Sequence, residues 1–163
     1  MQPFRFHSIY QPRIWGGQSM RTMLGRELPD RETAYGEAWE ISDRPEAMSI
    51  VKDGEWEGMP LHRLWEEHRQ EIFGPGYERF PRFPLLCKIL DARENLSVQV
   101  HPPERTAAAR QGEVKNEIWY VLHASPDALI YGGMEENATL PDIRHAAETG
   151  QMEQLIRSTH LEP

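Results

Sequence analysis

The chain has 163 residues, of which 39% are apolar and 27% charged, the composition of a water-soluble globular domain with one core. Its net charge of −8 excludes nucleic acid as a partner, because binding a polyanion requires clustered Lys and Arg. No stretch approaches the roughly 18 to 20 apolar residues that span a bilayer, and the start, Met1 to Phe6, lacks an apolar signal core, so no membrane partner is expected and the expected location is the cytoplasm.

Residues 1–34 mix Pro12, Pro29, Gly16, Gly17 and Gly25 with scattered aromatics, which predicts loops and short strands with few regular elements. Tyr35 to Ser42 and Met48 to Val51 alternate in polarity across Asp43-Arg44-Pro45-Glu46, the pattern of two short strands and a turn. Leu61, Leu64, Trp65, His68 and Ile72 recur at three- and four-residue spacing, which predicts an amphipathic helix from Pro60 to Phe73 ended by Gly74-Pro75-Gly76. Three apolar stretches follow, Phe83 to Asp91, Leu96 to His101 and Glu117 to His123, and their Val, Ile and aromatic content predicts strands of one sheet. The only cysteine, Cys87, lies in the first of them; it excludes an intrachain disulfide and is expected as a small core residue. Between the second and third stretches, Pro102 to Arg110 opens with prolines and continues with strong helix formers, a short helical crossover. Asp127 to Tyr131 reads as a further strand, and Pro141 to Ser158 as two small helices split at Gly150.

Along Leu96 to His101 side chains alternate faces, so Ser97, Gln99 and His101 point one way and Leu96, Val98 and Val100 the other. In the next predicted strand Lys115, Glu117 and Trp119 share a face. If the two strands line one cavity, an imidazole nitrogen, a carboxylate oxygen and an amide oxygen come together. That set suits Zn²⁺, or another divalent ion such as Fe²⁺, Mn²⁺ or Co²⁺, and with no thiolate it is an open site. For the first strand alone, a solvated face carrying an incidental histidine explains the pattern as well. Trp39, Trp56, Trp65 and Trp119 are expected in the core. His7, His62, His68, His123 and His145 lack a carboxylate or His partner at strand or helix spacing, which points to surface or packing roles.

The stretch Leu96-Ser97-Val98-Gln99-Val100-His101-Pro102, followed by Lys115-Asn116-Glu117-Ile118-Trp119-Tyr120-Val121, resembles the core motif of type I mannose-6-phosphate isomerases. Upstream, Arg13 to Gly17, Gly36 to Ser42 and Phe83 to Ala92 are similar to that family's successive signature stretches, in the same order. The resemblance covers roughly residues 3 to 135, with Pro103 and Asn116 as small departures. It implies a mostly-β, cupin-like jelly-roll barrel with short helical insertions, one catalytic domain over 1–163 that is broken off before the fold is complete. It also implies a metal held by Gln99, His101 and Glu117, Zn²⁺ in the first place, with a further His ligand from a later strand that this chain does not match.

The implied activity is the metal-dependent interconversion of mannose 6-phosphate and fructose 6-phosphate, so a small sugar phosphate is the expected partner; the oligomeric state stays open. Such a reaction moves a proton between C1 and C2 through an enediolate that must be stabilised. Lys115 would stabilise developing negative charge or hold the sugar. Ser97 would line the pocket, although a small residue is equally suited to packing in a narrow barrel. Glu37 and Trp15 match pocket positions, as a catalytic and a substrate-binding residue respectively; loop packing and a strand-end charge are the plainer readings. Two other readings stand beside the enzyme: a non-catalytic cupin that binds metal or sugar, and an inactive truncated fragment.

Overall fold

The computed structural model describes residues 3–162, so Met1, Gln2 and Pro163 lie outside it. The chain separates into two compact units that divide after Leu96.

In the first unit, β1 (Ile9–Gly17), β2 (Tyr35–Ile41) and β5 (Cys87–Leu90) form an antiparallel sheet with β2 in the centre. A nine-residue β1 stands where loops and short strands are expected from the Pro and Gly content. Pro12 and Gly17 both pair with Tyr35, with the register shifting on either side of Pro12. Proline and glycine are accommodated there because they fall at irregularities of an edge strand. A short helix, α1 (Ser19–Thr22), follows. Its amide at Met20 donates to Asp91 Oδ2 at 2.9 Å, which ties the helix start to the end of β5. Under the sheet, Met20, Tyr35 and Ala38 form a buried cluster with Tyr10, Leu28 and Ile89 against it.

The expected hairpin is present but shifted. Asp43 and Arg44, read as turn residues, form β3 (Asp43–Arg44) and pair with β4 (Ala47–Met48), which leaves Pro45-Glu46 as the turn. The helix α2 (Leu61–Phe73) lies where its periodicity places it, and Leu61, Leu64 and Trp65 are fully buried. Trp65 packs edge-on to Phe83 and Tyr77 and tilted against Phe73, with ring centroids 5.0–6.0 Å apart. Its indole N–H donates to Phe80 O at 3.2 Å, so the large side chain is buried with its polar atom satisfied. Gly74, at φ 77°, ends the helix in a conformation that favours glycine. Cys87 is exposed rather than buried, because β5 is an edge strand.

In the second unit, α3 (Glu104–Ala107) and a 3₁₀ turn (Ala108–Arg110) make the predicted helical crossover. The stretches around it differ from expectation: neither Leu96 to His101 nor Glu117 to His123 forms a strand. A strand needs a hydrogen-bonded neighbour as well as a suitable sequence, and no described residue pairs with either stretch in a sheet. Trp119, expected in the core, is accordingly 49% exposed. The strand predicted from Asp127 to Tyr131 is β6 (Leu129–Met134), and it continues through Gly132-Gly133.

The helix α4 (Leu140–Thr149) starts with a reciprocal capping box between Thr139 and Asp142 and ends at Gly150, φ 70°. Beyond Gly150 the second predicted helix is absent. A 3₁₀ turn (Met152–Gln154) leads into β7 (Ile156–His160), which pairs antiparallel with β6. The β-branched Ile156 and Thr159 favour the extended backbone once a partner strand is available. Among the described residues no helix is long and apolar enough to cross a membrane.

Candidate active-site residues in the two units

Glu37 sits in the middle of β2, opposite Gln11 of β1 and Leu90 of β5, and is 6% exposed. A carboxylate in such a place has to be paired, and three donors surround it. Arg13 Nη2 reaches Oε2 at 2.6 Å, Lys88 Nζ reaches Oε1 at 2.9 Å, and Trp39 Nε1 donates to Oε2 at 3.0 Å. Burial works to raise the pKa of Glu37. The hydrogen bonds from Lys88 and Trp39 and the charges of Lys88 and Arg13 outweigh it, so the pKa lies below the ordinary glutamate value.

Sequence spacing missed Arg13 and Lys88. The available signal was Lys88 itself, a lone cation inside Phe83-Pro84-Leu85-Leu86-Cys87-Lys88-Ile89-Leu90, which has to find an anion if the run is a strand packed on its neighbours.

Trp15 is half-buried on β1, and its carbonyl accepts from the amides of Arg93 and Glu94 at 2.9 and 3.3 Å. Gly36 makes this arrangement fit. A Cβ at residue 36 would stand 2.6 Å from Arg13 Cβ and 2.6 Å from Trp15 Cζ3, so only glycine lets these two side chains cross β2. Gly17 has the same function beside Asp91, where a Cβ would fall 2.4 Å from Oδ1.

A further pair escaped sequence reasoning. The buried Asp43 carboxylate accepts from Phe83 N at 2.7 Å and lies 2.9 Å from His62 Nδ1, so His62 has the carboxylate partner that its spacing did not reveal. The two are 19 residues apart, on β3 and α2, and no short-range pattern links them. Two pairs at helix spacing also correct the sequence reading that these histidines lack such a partner: within α2, His62 Nε2 lies 3.4 Å from Glu66, four residues on, and His68 Nδ1 lies 3.5 Å from Glu71, three residues on, with the His68 ring 4.3 Å from that of Trp56.

In the second unit, Ser97, Gln99, His101, Lys115 and Glu117 are all exposed and lie outside regular secondary structure. Lys115 Nζ and Glu117 Oε1 form an ion pair at 3.0 Å, which brings these two side chains together without a strand to impose it. Gln99 and His101 are not held by any described side chain. Among the described residues no three His, Cys, Asp or Glu side chains are grouped to hold a metal ion. The proposed donors comprise two of those residue types and an amide, a chemically suitable set for a divalent ion that needs further ligands to close.

The chain matches the model of the family described as phosphomannose isomerase type I, catalytic domain, over residues 3–123. It is 40% identical over 157 residues to the mannose-6-phosphate isomerase of Streptococcus mutans, covering 95% of this chain and 48% of that protein. It is 37% identical over 166 residues to the mannose-6-phosphate isomerase ManA of Bacillus subtilis, covering 99% of this chain and 50% of that one. Among solved structures, the mannose 6-phosphate isomerase from Bacillus subtilis superposes with a TM-score of 0.84 at 32% identity, covering 100% of this chain and 51% of that one. The mostly-β fold with short helices is therefore that of the matching half of this isomerase, and the chain spans about half the length of the curated relatives it matches.

Proposed function

Because the chain belongs to the type I phosphomannose isomerase catalytic-domain family, we propose that it carries part of the catalytic domain of an enzyme interconverting mannose 6-phosphate and fructose 6-phosphate. One observation carries this reading: the match to the family's catalytic domain spans residues 3–123. That range contains Trp15, Glu37, Ser97, Gln99, His101, Lys115 and Glu117, and it crosses the boundary between the two units. Both units are accordingly read as parts of one catalytic domain, acting on a sugar phosphate in the cytoplasm. Identities of 37–40% to two proteins named as mannose-6-phosphate isomerases support the same substrate.

In this proposal His101, Glu117 and Gln99 hold a divalent ion, Zn²⁺ by donor chemistry, together with ligands from outside this set. The chemistry such an ion supplies when bound is Lewis-acid polarisation of the sugar carbonyl. The reaction moves a proton between C2 and C1, and the negative charge that develops on the enediolate oxygens calls for a fixed cation. We assign this role to Lys115, whose ammonium group is held 3.0 Å from the Glu117 carboxylate and so beside a proposed ligand of the ion. Ser97 offers a hydroxyl that donates or accepts a hydrogen bond with the sugar. Glu37, with its lowered pKa, stays ionised and acts by fixing the cationic ends of Arg13 and Lys88, while Trp15 presents an apolar ring for a sugar face.

Metal content after dialysis against metal-free buffer tests the ligand set, with His101→Ala and Glu117→Gln as controls. Close to one equivalent in the parent chain, lost in both variants, is the expected result. Metal retained by the variants overturns the assignment of these ligands, whereas metal absent from the parent chain removes metal-dependent catalysis from this chain and leaves a set that lacks its last ligand. Exchange of the C2 proton of mannose 6-phosphate into solvent then separates an isomerase from a module that only binds metal or sugar.

A further inference from the structure

The first unit holds a cleft of about 430 Å³ that none of the proposed catalytic or metal-binding residues lines, within the size range of small-molecule sites. Backbone pairing fixes its lining: Phe6 bridges to Val51, His7 N donates to Ile50 O at 3.0 Å, and Lys52 N donates to Arg5 O at 2.8 Å. Phe6, stacked on Phe4, and Tyr10 give the cleft apolar surface.

Two cations, Arg26 and Lys52, line the same cleft. Arg26 is anchored through a single nitrogen. Its Nη1 donates to Glu40 Oε1 at 2.7 Å and to Ser8 Oγ at 3.0 Å, and the Ser8 hydroxyl donates in turn to Glu40 Oε2 at 3.0 Å. Both Nη1 hydrogens are thereby used, whereas Nε and Nη2 donate to no acceptor among the described residues. Those two nitrogens form one edge of the guanidinium, the fork that takes two oxygens of an anion. The Lys52 ammonium has no partner among the described residues either, and it also lines an adjoining cleft of about 330 Å³. On a chain of net charge −8, a fixed arginine edge and an unpaired ammonium in one cleft stand out locally from an acidic surface.

We infer that this cleft is a ligand site separate from the proposed catalytic residues, and that it takes a small phosphomonoester whose organic part carries hydroxyl groups. A carboxylate would satisfy the Arg26 fork but leave Lys52 uncompensated; a phosphomonoester, with its about two negative charges near neutral pH, engages both. Glu27, the one carboxylate among the described lining residues, repels a bare anion but accepts a hydrogen bond from a hydroxyl. The cleft therefore favours a phosphorylated polyol over inorganic phosphate.

Titration of the 163-residue chain with glycerol 3-phosphate, followed by two-dimensional NMR, tests the site. The expected result is a shift of the amides of His7, Ser8 and Lys52 and of the Arg26 Nε–H, saturating in the millimolar range, with Gln99 to His101 and Lys115 to Glu117 unmoved. Arg26→Gln should abolish binding, but it also releases Glu40, so Lys52→Gln is the deciding variant. It should weaken binding about 10-fold, as the loss of one charge-assisted hydrogen bond implies. Arg63→Gln, which removes the same charge from α2 at a site paired only with Glu67, should leave binding unchanged. No shifts at the cleft, an affinity indifferent to Lys52→Gln, or inorganic phosphate bound as tightly as glycerol 3-phosphate overturns the inference. Shifts confined to residues 97–117 overturn it as well, and they leave the proposed function standing.

Discussion

At Glu37, two cations and an indole N–H converge on one carboxylate in the centre of a sheet. Removing the negative charge strands Arg13 and Lys88, whose side chains are 34% and 23% exposed. Their partial access to water keeps the penalty below that of breaking a fully buried pair, so Glu37→Gln is expected to lower unfolding stability by about 2 kcal/mol. Chemical denaturation should show a lower midpoint at an unchanged slope. The pH dependence has a defined sign. The folded pKa of Glu37 lies below the ordinary 4.5, so its contribution is fully present above the unfolded value and is lost as pH falls through the depressed folded value. The parent chain should lose stability in acid below pH 4.5, and this component of the loss should be missing from Glu37→Gln. Equal acid profiles for the two proteins would show that the cluster contributes nothing.

Among the elements, β1 and β2 cross closely only because residue 36 lacks a side chain. Gly36→Ala forces a methyl group to 2.6 Å from Arg13 Cβ and Trp15 Cζ3, and overpacking of this kind should destabilise by about 1–3 kcal/mol. Gly132→Ala provides the contrast: the site is on β6, φ there is not positive, and nothing lies within 4 Å of the new Cβ. Its thermal midpoint should stay within a degree or two of the parent or rise slightly, whereas Gly36→Ala should fall by several degrees.

The same elements explain what the sequence made legible. The helix α2 was readable because Leu61, Leu64 and Trp65 repeat at helical spacing and are the side chains buried. The centre of β2 was readable from its alternation. The strand β1 was hidden by Pro12, Gly16 and Gly17, which look like loop punctuation until the edge position and the approach of Asp91 account for them. β7 was hidden because Ile156 to His160 gains its extended form from pairing with β6. The candidate residues themselves were found through ordered motifs shared with the family. Arg13 and Lys88 lie inside those motifs, but their pairing with Glu37, like the Asp43–His62 pair, was not legible, since it depends on contacts between separate elements.

At the scale of the whole molecule, order is unevenly distributed. Buried side chains concentrate around Met20, Tyr35 and Ala38 and along α2, whereas residues 97–101 and 117–122 hold their side chains in solvent. Amide hydrogen exchange should therefore divide the chain. Amides of β2 and of α2 around Leu64 and Trp65 should exchange slowly, and those of Gln99 to His101 and Glu117 to Leu122 should exchange close to the rate of an unstructured peptide. Slow exchange at Val100 and Ile118 in the isolated chain would show that these stretches are already paired.

Asp91 holds the start of α1 across a separation of 71 residues, and β5, immediately before it, is the last strand of its sheet to be made. Synthesis on the ribosome runs from the amino terminus, so the nascent chain carries a β1–β2 ribbon with an open edge, and an uncapped α1, until residues 87–91 emerge from the exit tunnel. Formation of the first unit is thus timed by the arrival of its most distant piece. Translational pauses placed before codon 91 would prolong the interval in which that edge is available to other nascent chains.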